Sequence, residues 1–300
     1  MTFEQALRGA GLHPREIVAD GLVRRCTTDD KPGKRNGWYA LHPDGRGVWG
    51  DWTTGGSDAL GHWRDESVTA AAHDPKLDEL KRLQRERDRE RRLGAMRDAR
   101  AFWARCKPLR RPHPYIANKG LQQLGCAGLR EHGDLLVVPV WHGDWLVSVQ
   151  TISPAGEKRF WTGAPVKGGC YPIERPNAAV TALVEGLATG LAIYQSVRHA
   201  RVIVCFDAGN LLPVVERMRP TGSVVFCADN DAGTLARRGF NPGLDKARNA
   251  AELIGAGVAW PEGIEGTDYA DMLKELGEGA GRRIERAVMA KVRYVPAVAA

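Results

Sequence analysis

Between residues 180 and 292 short apolar runs alternate with amphipathic stretches. The runs at 180–184, 202–206 and 224–228 are almost continuously apolar, and a shorter one follows at 258–260. Residues 188–197, 211–218, 244–254, 269–276 and 282–289 instead carry apolar positions at three- and four-residue intervals. Such an alternation predicts repeated strand–helix units, and unbroken apolarity predicts strands covered on both faces. The expected fold class is α/β, a parallel sheet with helices on both faces.

Upstream the period changes. Residues 135–140 and 145–150 flank His142-Gly143-Asp144 and predict a β-hairpin, followed by a polar turn at 156–160 that carries Lys158 and Arg159. Leu77, Leu80, Leu83, Leu93, Met96, Ala99 and Trp103 mark a helix over 76–106, with Asp74-Pro75 as its start signal and Lys107-Pro108 as its stop. Before it, the first 65 residues are short and irregular in pattern, and 37–52 predicts two or three strands joined by tight turns. The expected division is a small β-rich, Trp-rich module (1–70), a basic helical linker (71–108), a mixed α+β segment (109–176), the α/β domain (177–292) and a tail (293–300) that frays from Tyr294. Three hundred residues at 43% hydrophobic supply more than one core.

Charge narrows the choice of partner. The chain carries a net +7, yet residues 76–111 alone hold fourteen Lys or Arg against six Asp or Glu. That concentration favours a polyanion, nucleic acid before membrane, because releasing condensed counterions drives binding. The charged middle of the helix, Gln84 to Arg92, serves a solvated linker or a phosphate contact equally well. No apolar run approaches the ~20 residues of a bilayer span, and no signal pattern follows Met1, so a cytoplasmic location without a membrane partner is expected. The six cysteines, at 26, 106, 126, 170, 205 and 227, include no C-x-x-C pair, which argues against a zinc ribbon or a redox pair. Nor is there a G-x-x-x-x-G-K-[ST] phosphate loop, so no helicase is encoded here.

The candidate chemistry lies where the predicted strands end. In an open parallel sheet, ligands bind beyond the carboxyl ends of the strands. Glu185 follows the first run, with Gly186 next to it, and Asp229 and Asp231 follow the third as a D-x-D pair. Asp268 and Asp271 follow the fourth. One acid at a strand end is often only a helix N-cap, but three such ends in one sheet predict a metal site. Mg2+ (or Mn2+) takes hard oxygen ligands and keeps several waters, so one or two carboxylates per ion suffice. Two such ions can clamp the attacking and leaving oxygens of a nucleotidyl transfer.

Glu185-Gly186-Leu187-Ala188-Thr189 and Asp229-Asn230-Asp231-Ala232-Gly233 resemble the two signature motifs of the Toprim domain. Phe206-Asp207-Ala208-Gly209-Asn210-Leu211, Gly266-Thr267-Asp268-Tyr269-Ala270-Asp271, His113 to Gly120 and Gly156 to Gly169 are similar to segments of the narrower DNA primase branch carried by phages and plasmids. The resemblance covers roughly residues 110–278. It implies a Toprim catalytic domain and a nucleotidyltransferase of the DNA-directed RNA polymerase kind, making short RNA primers on a single-stranded DNA template from ribonucleoside triphosphates. It further implies Glu185 as general acid/base or metal ligand, Asp229 and Asp231 as principal metal ligands, and Asp268 and Asp271 as supporting acids. Lys119, Lys158, Arg159 and Lys167 would bind nucleotide or template, and a separate replicative helicase would unwind. Two departures stand out: cellular primases carry an acid where this chain has Thr189, and begin with a Cys/His zinc ribbon of which only Cys26 remains. A Toprim nuclease, or an inactive homologue that binds single strands or tethers a helicase, would share most of these residues. Trp38, Tyr39, Trp49, Trp52 and Trp63, with Lys31, Lys34, Arg35 and Arg46 nearby, serve either as stacking platforms for bases or as the core of a small module.

Overall fold

In the computed structural model, residues 1–53, 61–65, 75–122, 126, 128–230, 233 and 241–297 are described, and the described residues form a mixed α/β fold with three sheets. The chain falls into two compact units, Met1–Arg87 and Asp88–Ala300.

The first unit opens with a helix the hydrophobic pattern does not reveal, α1 (Phe3–Gly9), started by a capping box between Thr2 and Gln5. Strands β1 (Leu12–His13), β2 (Arg24–Thr28), β3 (Gly37–Leu41), β4 (Arg46–Asp51) and β5 (Gly61–Arg64) follow. They form one antiparallel meander in sequence order; residues 37–52 supply two of its strands, within the expected two or three, and β1, β2 and β5 lie outside that segment. Phe3, Leu7, Leu12, Cys26 and Tyr39 make its core, with Trp49 and Trp63 packed against it. Most of the aromatic cluster is therefore spent on packing; Trp52 remains 41% exposed, with the Arg25 guanidinium 5.4 Å from its ring. Helix α2 (Pro75–Arg105) runs on from the first unit into the second.

In the second unit, β6 (Lys107–Pro108), β7 (Arg130–His132), β8 (Leu135–His142), β9 (Trp145–Ile152) and β10 (Lys158–Phe160) form an antiparallel sheet in the order β10-β9-β8-β7-β6, with α3 (Pro114–Asn118) between β6 and β7. Phe102 and Cys106, at the end of α2, pack on Val137 and Val149 of the β8–β9 hairpin. The expected polar turn at 156–160 ends instead in β10, which pairs Lys158–Phe160 with Gln150–Ile152 of β9. Side chains alternate along a strand, so Lys158 and Arg159 face opposite sides.

The third sheet contains β11 (Tyr171–Ile173), β12 (Val180–Val184), β13 (Ala200–Val204), β14 (Gly222–Cys227), β15 (Gly257–Ala259) and β16 (Arg293–Val295). Its order is β11-β13-β12-β14-β15, with β16 also on β14. The four central strands are parallel, as the apolar runs predict, but β11 and β16 are antiparallel. Alternate residues split between two cores. Ala182, Val184, Val202, Val204 and Val225 pack with α4 (Leu187–Ser196), α7 (Tyr269–Leu276) and α8 (Ala280–Met289). Leu183, Ile203, Val224 and Phe226 pack with α5 (Leu211–Met218) and α6 (Pro242–Ile254).

The tail corrects an expectation. Rather than fraying from Tyr294, the chain pairs Arg293–Val295 with Gly222–Val224 of β14, and Val295 is buried. Strand β15 occupies only Val225–Cys227 of that edge, leaving the preceding residues free to pair. A Cβ on Gly257 would lie 1.8 Å from the Lys291 carbonyl oxygen, so only glycine lets the chain entering β16 pass so close to β15. Segments 109–176 and 177–292 are not separate in their packing: Ile116, Leu136 and Ile152 belong to the same core as Leu191 and Ile284. Among the described residues no helix is long and apolar enough to cross a membrane, and all six cysteines are free and buried.

Candidate active site

Strands β13, β12 and β14 are adjacent and parallel, with Val184 of β12 in register with Val204 on one side and Cys227 on the other. The residues that follow therefore emerge at the same edge: Glu185 after β12, Asp207 after β13 and Asp229 after β14. Glu185 and Asp229 are half-buried; Asp207 is crowded by the same strand edge, which desolvates its carboxyl, although part of its surface is open at the rim. The Asp229 backbone N–H points at Glu185 Oε1, 3.4 Å away. Thr189, in the first turn of α4 and 1% exposed, donates its hydroxyl to Asp229 Oδ1 at 2.9 Å. A Cβ on Gly243 of α6 would come within 2.7 Å of Glu185 Oε1, so this glycine gives the carboxylate its place.

Burial is the first cause that raises all three carboxyls. Glu185 is pushed up to about 8, with the Asp229 charge next, against the pull of the Asp229 N–H and Lys246. Asp229 is pushed up to about 6, with Asp268 adding repulsion and the Thr189 hydroxyl and Lys158 opposing it. Asp207 is also raised, though the N–H groups of Asn210 and Gly209 and the charge of Lys246 work against burial. Carboxyls that resist ionisation together, in one place, suit a divalent cation, whose charge removes the conflict.

The outer acids are engaged differently. Asp268 caps α7 and forms a capping box with Asp271. Lys119 reaches both, at 3.5 Å from Asp268 and 3.1 Å from Asp271. Burial works to raise the Asp271 carboxyl, but the Thr267 N–H and Lys119 outweigh it and hold it below its ordinary value. The Asn230 N–H donates to the Thr267 carbonyl at 2.7 Å and so ties this loop to the end of β14. Asp231 lies outside the described residues. Beyond it, Asn241 donates to Asn230 Oδ1 at 2.9 Å. Among the described residues no three His, Cys, Asp or Glu side chains lie close enough to hold one ion, so the central pair there is Glu185 and Asp229.

Of the predicted cations, Lys119 pairs with the outer acids, and Lys158 is the one beside the central pair: its charge acts on Asp229 and its Nζ is 3.7 Å from where a Gly186 Cβ would stand. Arg159 faces away, with Glu157 3.6 Å distant. Lys167 is exposed on a loop that Asn210 anchors, accepting from the Gly168 N–H at 2.6 Å and donating to the Gly169 and Cys205 carbonyls at 2.9 and 2.7 Å. Asp207, Asn210 and Lys246 are absent from the sequence-derived site. Asp207 carried a usable signal, since it ends an apolar run as Glu185 and Asp229 do.

Two curated relatives are similar over most of this chain. One, the DNA primase TraC of Escherichia coli, is 30% identical over 288 residues, which is 86% of this chain and 26% of that protein. A second Escherichia coli DNA primase TraC is 30% identical over 290 residues, 86% of this chain and 19% of the relative. The chain thus spans about a quarter or less of the length of these proteins. Among solved structures, the primase fragment of the bacteriophage T7 primase-helicase protein matches with a TM-score of 0.42 and 10% identity, over 82% of this chain and 93% of that one. The catalytic domain of the DnaG primase bound to single-stranded DNA gives 0.42 and 12%, over 68% and 80%. No family model matches the chain.

Proposed function

We propose that this chain is the catalytic part of a DNA primase of the phage or plasmid type, with a Toprim arrangement around β12 and β14, synthesising short RNA primers on single-stranded DNA. The observation that carries this reading is the set of carboxylates, Glu185, Asp207 and Asp229, at the ends of three adjacent parallel strands. The 30% identity to a DNA primase over most of the chain supports it. Glu185 and Asp229, with Asp231, would hold Mg2+ or Mn2+, and Asp268 and Asp271 complete the acidic rim. A divalent cation bound there supplies charge neutralisation and activation of the primer hydroxyl. Thr189 fixes the Asp229 carboxylate; Glu185 gives up its proton where it serves as a metal ligand, and where it does not, its raised pKa suits it to general acid/base work. Lys158 faces the acids and is suited to a triphosphate; Lys167, Lys119 and Arg159 extend the cationic surroundings toward template and nucleotide. A separate replicative helicase is the expected partner, and the cytoplasm the expected location.

Primer synthesis tests the proposal. The protein and its Asp229→Asn variant are incubated with mixed single-stranded templates, labelled ribonucleotides and Mg2+. Short labelled RNA from the parent alone is the expected result. Template cut by the parent alone would make it a nuclease using water in place of the primer hydroxyl. Intact template and no RNA from either protein would leave only a binding role.

A further inference from the structure

The β8–β9 hairpin ends in Trp145, 68% exposed although its turn, built on Gly143 at φ 57°, has no need of an indole. Beside it, Arg100 of α2 donates from Nε to the Leu146 carbonyl at 2.7 Å and holds its guanidinium 5.5 Å from the Trp145 ring centre. Leu93, Met96, Arg97 and Arg100 recur one helical turn apart and, with Glu90, line a groove of about 580 Å³. Leu93 is 48% exposed. Between Asp88 and Arg105 the helix carries six arginines against three acids. The acids near this face are Glu90, Asp98 and Asp144, yet Arg97 and Arg100 form no ion pair among the described residues.

An open indole with unpaired arginines beside it matches a polynucleotide whose bases are unstacked: a base lies on the ring while its phosphates meet the guanidiniums. A duplex, with its bases already stacked inside, offers the ring nothing. The surface also connects with the carboxylate site. The loop from Gly163 to Gly169 begins against α2, where a Gly163 Cβ would be 3.4 Å from that of Ala95. It ends on Asn210, three residues after Asp207, and exposes Lys167 on the way.

We propose that Trp145 and the Leu93–Met96–Arg97–Arg100 face of α2 form a binding surface for single-stranded DNA, separate from the carboxylate site. The assignment rests on the proposed primase function for its choice of strand, and on the hairpin and helix for its location.

The test uses the full chain and a fluorescein-labelled, mixed-sequence single-stranded 20-mer, followed by anisotropy at several salt concentrations. Trp145→Ala is expected to weaken binding about tenfold with an unchanged salt slope, and Trp145→Phe to bind nearly as the parent does. Arg97→Ala/Arg100→Ala is expected to weaken binding and to flatten the salt slope by about 1.4, the share of two phosphate contacts. Melting curves matching the parent's confirm that each variant is folded. Parent-like binding by both the Trp145→Ala and the double-arginine variants would overturn the proposal. So would a change in self-association without a change in DNA affinity, which would make the face a contact between copies. A parent that makes no primers but shows these dependences would remove the proposed activity and leave this surface standing.

Discussion

At the scale of single residues, the central carboxylates make stability depend on pH with a definite sign. Glu185 ionises near its ordinary 4.5 when unfolded but near about 8 when folded. Between those values the folded chain binds the extra proton, so the contribution of Glu185 to stability is fullest below pH 4.5 and is lost as pH rises toward 8. Asp229, raised to about 6, adds to the same trend in the lower part of that window. Asp271 is shifted the other way, and its contribution fades only below the ordinary carboxylate range. In EDTA the melting temperature of the second unit should therefore fall between pH 5 and 8, and Glu185→Gln should flatten that fall. Equal slopes for parent and variant would show that Glu185 does not carry the effect. Mg2+ or Mn2+ should restore stability most at the high end, where both acids must ionise. Thr189 enters through its 2.9 Å bond to Asp229, a hydroxyl donating to a carboxylate. Thr189→Val keeps the shape but removes the donor, and a bond to a charged group contributes about 1.5–3 kcal/mol. Calorimetric titration with Mn2+ should show affinity reduced at least tenfold in Thr189→Val and near the parent's in Thr189→Ser. Unchanged affinity in Thr189→Val would reduce Thr189 to a packing residue.

Among the elements, those with enough length to show a period were legible. Helix α7 has the predicted bounds, Tyr269–Leu276, because its amphipathic pattern follows directly on the Asp268 cap. Three parallel strands were legible because their apolar runs are bounded by polar residues, and that same boundary exposed Glu185 and Asp229. Short elements without a bounded apolar run were not. Helix α1 depends on a Thr2–Gln5 box, β11 is Tyr171–Ile173, and β16 needs a partner edge supplied by β14, more than sixty residues away in sequence. Asp207 could have been read from the end of its apolar run; what no hydrophobic pattern reports is the left-handed φ of 75° at Phe206, which carries the chain from β13 to it. Asp268 and Asp271 illustrate the opposite limit. Their position past a strand marks them as site acids, yet the same D-x-x-D spacing also makes a capping box, and only three-dimensional placement shows Lys119 reaching both. The two cations at 158 and 159 were readable as charge but not as direction, because strand pairing with β9 decides which of them meets the acids.

For the whole molecule, the distribution of cores decides which parts melt together. Leu136 lies in the antiparallel sheet and Leu191 on α4 of the third sheet, and both are completely buried in one continuous cluster. Leu7 is equally buried, but in the separate core of the first unit. Replacing a buried leucine by alanine removes apolar contact and leaves a cavity, at a cost of about 2–5 kcal/mol. A shared core makes the two sheets of the second unit one cooperative body, since neither can lose its packing without exposing the other's apolar face. Leu136→Ala and Leu191→Ala should therefore lower the same calorimetric transition, each by about 5–15 °C for a unit of this size. Leu7→Ala should lower a different transition and leave that one in place. Separate transitions for Leu136→Ala and Leu191→Ala would mean that the antiparallel sheet unfolds alone. Lys158 would then lose the β9–β10 pairing that brings it to Glu185 and Asp229 while the acids themselves remained in place. Metal binding would outlast that first transition, and nucleotide binding would not.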